Sequence, residues 1–452
     1  MRSLYINPSD FFQWSPINLL INLIQFIFSP RLNPSLLWEG ALPLLHWRKS
    51  QWGRGLLILF ILFSQIYAQD NRLRLKQADL LENITVDGQS MQFLRGNVIF
   101  KKGDMVMNCD WARFDQKTEQ GFLFGNVSMV ENVQNLTCDS LFVDSPKDIM
   151  IAYSNTHVWD TTYSLVADTL FYFSELDSGS ANGNATLIQD KQIIKSDRIE
   201  YFEIPESDGV SYAARGNVSI TEEGRLATCG EAIYDRENGK TTLRIKPKIL
   251  DNNQTIAGSE IFLEYDEDVL KSLFIPSEAY ATHPSTGIRQ WTEIVDGDTL
   301  TFEDSLSFTD DMTGSILRGF FTDGIMDSMR LEGMATTLYH IFEDSVYQGK
   351  NESSGDTIIM NFADNDLQKI FVNGGSRGTY TPDSTGADVD GPIHYESEDI
   401  DYDVVNEFTD LHGDAVIDYT NINLKAGFIL SLIHISEPTR RTPISYAVFC
   451  LK

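Results

Sequence analysis

From Met91 to Asp144, apolar and polar side chains alternate in two runs of one design, RGNVIFKKGDMVMNCDWARFD and FGNVSMVENVQNLTCDSLFVD. In each, a Gly-Asn pair precedes an alternating apolar run, a polar turn follows, and a small residue beside an acidic one opens a second alternating run. The spacing is held to the residue. Gly96 to Gly125, Cys109 to Cys138, Cys138 to Ala167 and Ala167 to Ser196 are each 29 residues, and Gly96 to Cys109, Gly125 to Cys138, Gly183 to Ser196 and Gly216 to Cys229 are each 13. A period with constant sub-spacings predicts stacked supersecondary units that bury a continuous core only together.

Parity assigns the faces. After each Gly-Asn, one face carries Val98 and Phe100, Val127 and Met129, Ala185 and Leu187, Val218 and Ile220, while the other includes Ser128, Thr186 and Ser219. In the second strand of each unit the apolar parity falls on Ala112 and Phe114, Leu141 and Val143, Leu170 and Tyr172, Ile199 and Tyr201, Ala232 and Tyr234, with Arg198 and Glu200 pointing away. The expectation is a set of strands with one apolar and one wet face. Gly-Asn pairs tolerate φ > 0, so they predict a turn or bulge where the chain enters the next strand. Asp110, Asp139, Asp168 and Asp197 share the inward parity, which conflicts with a dry interior unless each strand begins just after its Asp.

Beyond Ser277 the period loosens. GDTLTF and GDTIIMNF repeat the strand opening VADTLFYF, Gly333 to Gly374 and Tyr339 to Tyr380 are each 41 residues, and Gly413 to Ala426 is again 13. Inserts such as THPSTG and TPDSTGADVDGP account for the added length. No long amphipathic helix is discernible after the amino-terminal apolar runs.

The ends read differently from the body. Arg48, Lys49 and Arg54 precede LLILFILF, and SQIYAQD follows with a small residue at Ala68, the form of a cleavable export signal cut near Ala68. The run from Leu56 to Phe63 is too short to span a bilayer, which needs about 20 residues. A second apolar patch, INLLINLIQFIF, stands oddly for a signal: it is either a membrane anchor or, as the usual build of signals favours, the mark of a start placed too early. LSLIHISEPTR from Leu430 and ISYAVFCLK from Ile444 read as translated sequencing adapters, so His434, Glu437 and Cys450 carry no chemistry. The expected organisation is therefore a signal region at 1–68, repeats at 69–283, a looser β region with inserts at 284–429, and an artefact at 430–452.

Between residues 69 and 429 lie 27 basic and 62 acidic side chains. So acidic a surface repels nucleic acid and anionic membrane faces, and it keeps a long β-protein soluble. The remaining cysteines, Cys109, Cys138 and Cys229, occupy one repeat position where other copies have Ala167, Ser196 and Gly258. Small apolar packing explains them; a bridge between Cys109 and Cys138 stays open as the alternative. His157, His283, His340, His394 and His412 are scattered, and no nucleophile elbow, His-Glu-x-x-His or phosphate loop occurs. These residues point to no catalytic activity, no cofactor and no metal; the Asp row reads as strand capping over a Ca²⁺ ladder, since Gly-Gly-x-Gly-x-Asp is missing.

QADLLE with LRGNVIF, NCDWARF with LFGNVSM, VADTLFYF with ANGNATL and KSDRIEYF with ARGNVSI repeat a small-Asp-x-apolar-x-Tyr strand followed by an apolar-x-Gly-Asn-Val/Ala strand. In this signature the chain resembles the organic solvent tolerance protein N-terminal family, or OstA-like proteins, from about Lys76 to Phe428. The resemblance implies an all-β, open β-jellyroll or "β-taco" solenoid. It further implies a periplasmic protein, possible at the outer membrane, that binds lipopolysaccharide and shields lipid A acyl chains in an apolar trough during outer-membrane assembly. The trough-lining candidates are Val98, Phe100, Phe114, Val127, Met129, Leu141, Leu170, Tyr172, Leu187, Ile199, Tyr201, Val218, Ile220 and Tyr234. Like-fold transport proteins or an assembly barrel would join by strand-edge pairing, for which the strand Gln92–Phe100, with no Pro and only KKG as a guard, is the expected edge. A secreted structural or adhesive β-solenoid is the alternative reading.

Overall fold

The computed structural model describes residues 73–432 apart from short internal stretches, so the signal region, its cleavage point and residues 433–452 lie outside the described residues. Those described form 26 β-strands. The chain divides into two compact units: one holds Arg198–Glu203 and the described residues before Asp190, the other Lys191–Asp197 and the described residues after Ile204.

In the amino-terminal unit, β1 (Arg74–Gln77) and β2 (Leu80–Val86) both pair with β3 (Gln89–Lys102). From there β4 (Met105–Asp115), β5 (Gln120–Glu131), β6 (Gln134–Asp144), β7 (Ile149–Trp159), β8 (Tyr163–Phe173) and β9 (Ser178–Gln189) follow as consecutive antiparallel hairpins. The 29-residue period is thus two strands of 11 or 12 residues and two short turns. Because β1 and β2 cover β3 on one side and β4 on the other, Gln92–Phe100 is not an edge, correcting the expectation from sequence. Leu80, Leu81 and Ile84 of β2 are exposed instead.

The Gly-Asn pairs lie in the middle of strands, not at their entrances. Gly96 and Asn97 have φ of 75° and 47°, Gly125 and Asn126 72° and 45°, Gly183 and Asn184 79° and 49°. Each forms a bulge at which the register skips, as between Arg95 and Val98 or Phe124 and Val127. Bulges bend a strand and reverse its side-chain parity. The Asp of the neighbouring strand faces the bulge and accepts from the Asn amide: Asn97 to Asp79 at 2.8 Å, Asn126 to Asp110 at 2.8 Å, Asn155 to Asp139 at 2.9 Å and Asn184 to Asp168 at 3.2 Å. That resolves the parity conflict. Asp110 and Trp111 are both exposed while Cys109 and Ala112 are both buried, so the carboxylates sit outside on the bend.

One rung lacks its glycine. Ser154 and Asn155 take φ of 59° and 51° at the position 29 residues after Gly125. A side chain in the left-handed region is disfavoured by about 1 kcal/mol relative to Gly. Ser154→Gly is therefore expected to stabilise the protein by about 0.5–1 kcal/mol, read as a higher urea midpoint at unchanged slope; a lower midpoint would show that the serine holds the bend.

The carboxy-terminal unit repeats the scheme with interruptions. It takes Gln192–Asp197 of β10 (Gln192–Glu203) and runs through β11 (Val210–Glu222), β12 (Arg225–Asp235), β13 (Lys240–Arg244), β14 (Lys248–Asp251), β15 (Gln254–Ala257), β16 (Glu260–Asp266) and β17 (Val269–Ile275). Here β12 pairs with β13 along one half and β14 along the other, so β13 and β14 are two halves of one crossing, parted by Ile245 and Lys246 at φ of 63° and 55°. Longer strands follow: β18 (Ala279–Val295), β19 (Asp298–Gly314), β20 (Ile316–Thr322), β21 (Ile325–Glu343), β22 (Val346–Ala363), β23 (Asp366–Pro382), β24 (Ile393–Asp403), β25 (Phe408–Tyr419) and β26 (Ile422–Leu432). Gly333, Gly374 and Gly413, with φ of 77°, 82° and 74°, renew the bend on β21, β23 and β25.

Candidate functional site

In the amino-terminal unit each strand has two arms joined at its bulge, and both arms present an apolar row inward. Cross-strand register connects Phe100, Met107, Met129, Leu136, Val158, Leu165 and Leu187 into one row. On the other arm, Leu94, Ala112, Leu123, Leu141, Ala152, Leu170 and Ala181 form a second. The arms face each other: Phe100 of one and Phe114 of the other bring their ring centroids to 5.5 Å.

Accessibility changes along these rows. Leu94, Phe100, Met107 and Leu123 on β3–β5 are 0% exposed, whereas Val158, Leu165, Leu170, Tyr172 and Leu187 on β7–β9 are half-buried. Size explains the difference. Bulky Leu, Phe and Met fill the first strands, while Ala152, Ala167, Ala181 and Ala185 and the glycine at 179 line the later ones. Leu170 stands between Ala152 and Ala181, small on both sides.

The candidates from sequence sort accordingly. Val98, Phe100, Phe114, Val127 and Leu141 are buried in the packed part; Met129, Leu170, Tyr172, Leu187 and Tyr201 are half-buried; Ile199 is 8% exposed. In the carboxy-terminal unit Val218 and Ile220 are buried and Tyr234 half-buried. Sequence reasoning missed Leu94, Met107 and Leu123. Leu123 lies between Phe122 and Phe124, and three apolar residues in a row carry no parity.

The reverse face is not uniformly wet, contrary to the sequence expectation. Trp111 stacks on Phe124 with centroids 4.0 Å apart, Phe122 lies 4.7 Å from Phe142, and the Arg113 guanidinium sits 4.9 Å above Phe122. Arg198 is exposed and pairs with Glu200.

Cys109, Cys138 and Cys229 are free and buried along the bend. Burial pushes their thiols up, to about 11 at Cys109 and Cys229 and about 12 at Cys138. Since only the thiolate reacts, iodoacetamide at pH 8 should label the folded protein at least about a hundredfold more slowly than the urea-unfolded chain; equal rates would place the thiols in solvent.

Two of the histidines that look scattered in sequence converge. Asp310 accepts from the His340 backbone N–H at 2.9 Å and contacts His340 Nδ1 at 2.6 Å, and it pairs across the strands with His283, whose protonation is disfavoured by burial. Ser285 donates to Asp310 at 3.3 Å and not to a ring nitrogen, so this cluster assembles no nucleophile–base pair. Among the described residues no group of three or more His, Cys, Asp and Glu side chains is arranged to hold a metal ion.

The architecture defines a class: an all-β, antiparallel jellyroll-like solenoid whose strands bend at an aligned column of bulges around an apolar interior. Residues 70–202 match the family of OstA-like proteins, and residues 164–269 match the family described as LptA/(LptD N-terminal domain) LPS transport protein. Together the two matches run over residues 70–269, with 164–202 common to both. A crystal structure of LptH from Pseudomonas aeruginosa, the LptA-homologous periplasmic component of a lipopolysaccharide transport device, is 12% identical over 30% of this chain and 79% of that one. Its TM-score of 0.16 is too low to support any inference about this chain. No curated protein matches the chain.

Proposed function

We propose that this protein is a periplasmic carrier of lipopolysaccharide that shelters lipid A acyl chains against its inward apolar rows during outer-membrane assembly. The observation that carries the reading is the passage, within one unit, from a closed apolar core at β3–β6 to an accessible apolar lining at β7–β9. A saturated chain of about a dozen carbons costs on the order of 10 kcal/mol to hold in water, at roughly 0.8 kcal/mol per CH₂. Two rows of aliphatic side chains repeated strand after strand offer cover without a pocket of fixed shape. The family matches support the same cargo. Its role is that of a binder, not a catalyst, and it joins like-fold partners through the β2 edge, where Leu80, Leu81 and Ile84 are exposed.

A photo-crosslinking amino acid at Leu170 is expected to capture lipopolysaccharide in envelopes of the native host, and one at Arg198, on the outer face, is not. Capture at neither position, with lipid-free protein by mass spectrometry after gentle extraction, would favour a structural or adhesive solenoid.

A further inference from the structure

In the carboxy-terminal unit the inward row nearest the turns changes character. Tyr212 pairs with Tyr234, Tyr234 with Thr241, and Thr241 with Leu263, two residues before Tyr265 on the same face of β16. All of these hydroxyls lie within a few residues of the turns, at the margin of the wall. Thr241 is 0% and Tyr265 9% exposed, yet Thr241 Oγ1 and Tyr265 Oη are buried with no hydrogen-bond partner. The Tyr265 backbone is held in place by its N–H donating to the Gly239 carbonyl at 2.7 Å. Tyr212, beside them, is 40% exposed and its ring lies 6.5 Å from that of Tyr234.

Leaving a buried hydroxyl unpaired is unfavourable, and natural interiors rarely do it twice in one place. The pattern recurs on the same row elsewhere. Gln92 Oε1, on the marginal row of the amino-terminal unit opposite Phe114, is buried without a partner, and so is Thr409 Oγ1 opposite Tyr402. Further inside on this row's neighbours, Leu243 and Ile261 are hydrocarbon. Thr156 Oγ1 at the bend is also buried without a partner, but Gln92, Thr241, Tyr265 and Thr409 stand at the margin, where an amphiphile lying in the interior would pass from chain to head.

We propose that Thr241 and Tyr265, flanked by Tyr212 and Tyr234, form a hydrogen-bonding subsite for the amide, ester or hydroxyl groups at the head end of acyl chains, distinct from the aliphatic rows that take the chains themselves. This rests on the acyl-carrier reading and adds where along its length the cargo is held. Burial raises the Tyr265 phenol far above the ordinary tyrosine range, so it stays protonated and serves as a donor to a carbonyl oxygen. Thr241 supplies a donor or an acceptor.

The test uses the full chain and a fluorescent anthroyloxy-stearate, displaced by lauramide or by n-dodecane, in wild type and in the shape-conserving double variant Thr241→Val, Tyr265→Phe. Two lost neutral hydrogen bonds should weaken lauramide about tenfold and leave dodecane unchanged, while the melting temperature holds or rises because two orphaned hydroxyls are gone. Unchanged binding of both competitors by a folded variant overturns the subsite, marking the hydroxyls as flaws of packing. An equal loss of both overturns it too, as a defect of the chain-binding rows. If wild type does not bind the labelled chain at all, the carrier reading fails and this inference with it; binding with no preference for the amide defeats this inference alone.

Discussion

Leu123→Asp is expected to abolish the folded amino-terminal unit, while Leu170→Asp, on the same inward row three strand pairings away, is expected to leave it folded and unable to capture lipid. Leu123 is fully buried, paired with Ala112 and Leu141, and no cation faces it on that row. An unpaired carboxylate there carries a desolvation cost of several kcal/mol, which rivals a total stability of about 5–15 kcal/mol. Leu170 is half-buried between two alanines, so an aspartate there reaches water. It would also put a charge in the path of hydrocarbon. Urea denaturation followed by circular dichroism reports the fold, and lipopolysaccharide co-purification the cargo. Loss of the fold in both variants would mean that the interior is closed at β8 as it is at β5, and the acyl-carrier reading would lose its main support. Retention of the fold in both would contradict the packed core at β3–β6.

Gly125→Val is expected to cost about 3 kcal/mol or more. Its φ of 72° lies where a β-branched residue is strained by about 1–3 kcal/mol. A Cβ at this position would also lie 2.5 Å from Asp110 Oδ2 and 3.1 Å from Asp110 Cβ, so the carboxylate must leave and the Asn126 amide loses its acceptor. That lost bond adds about 1 kcal/mol. The two causes separate in a double-mutant cycle. Asp110→Gly should recover part of the cost of Gly125→Ala, the part due to contact, and none of the part due to backbone angle. A cycle with no coupling, or a Gly125→Val protein as stable as wild type, would show that the bend does not depend on this contact.

The sequence alone determined the strand content, the 29-residue unit and the inward assignment of most candidate residues, because a two-residue side-chain period is read directly from alternation. It also marked the bend column, since Gly-Asn beside Asp recurs at fixed spacing. Other features were decided only by tertiary structure. Alternation cannot show that a strand bends in mid-course, because a bulge reverses parity in the middle of a run: Asp110 therefore looked inward and proves exposed, and Leu123 was hidden between two phenylalanines. Strand pairing, not local pattern, decided that β3 is covered by β1 and β2 and that His283 and His340 meet at Asp310 across strands that pair from distant positions. The change from packed core to accessible lining likewise depends on what stands beside each residue on the neighbouring strands. Leu123 and Leu170 are the same amino acid in similar runs, and only the side chains brought to their flanks by register and bend make one a closed core residue and the other a half-buried, accessible one.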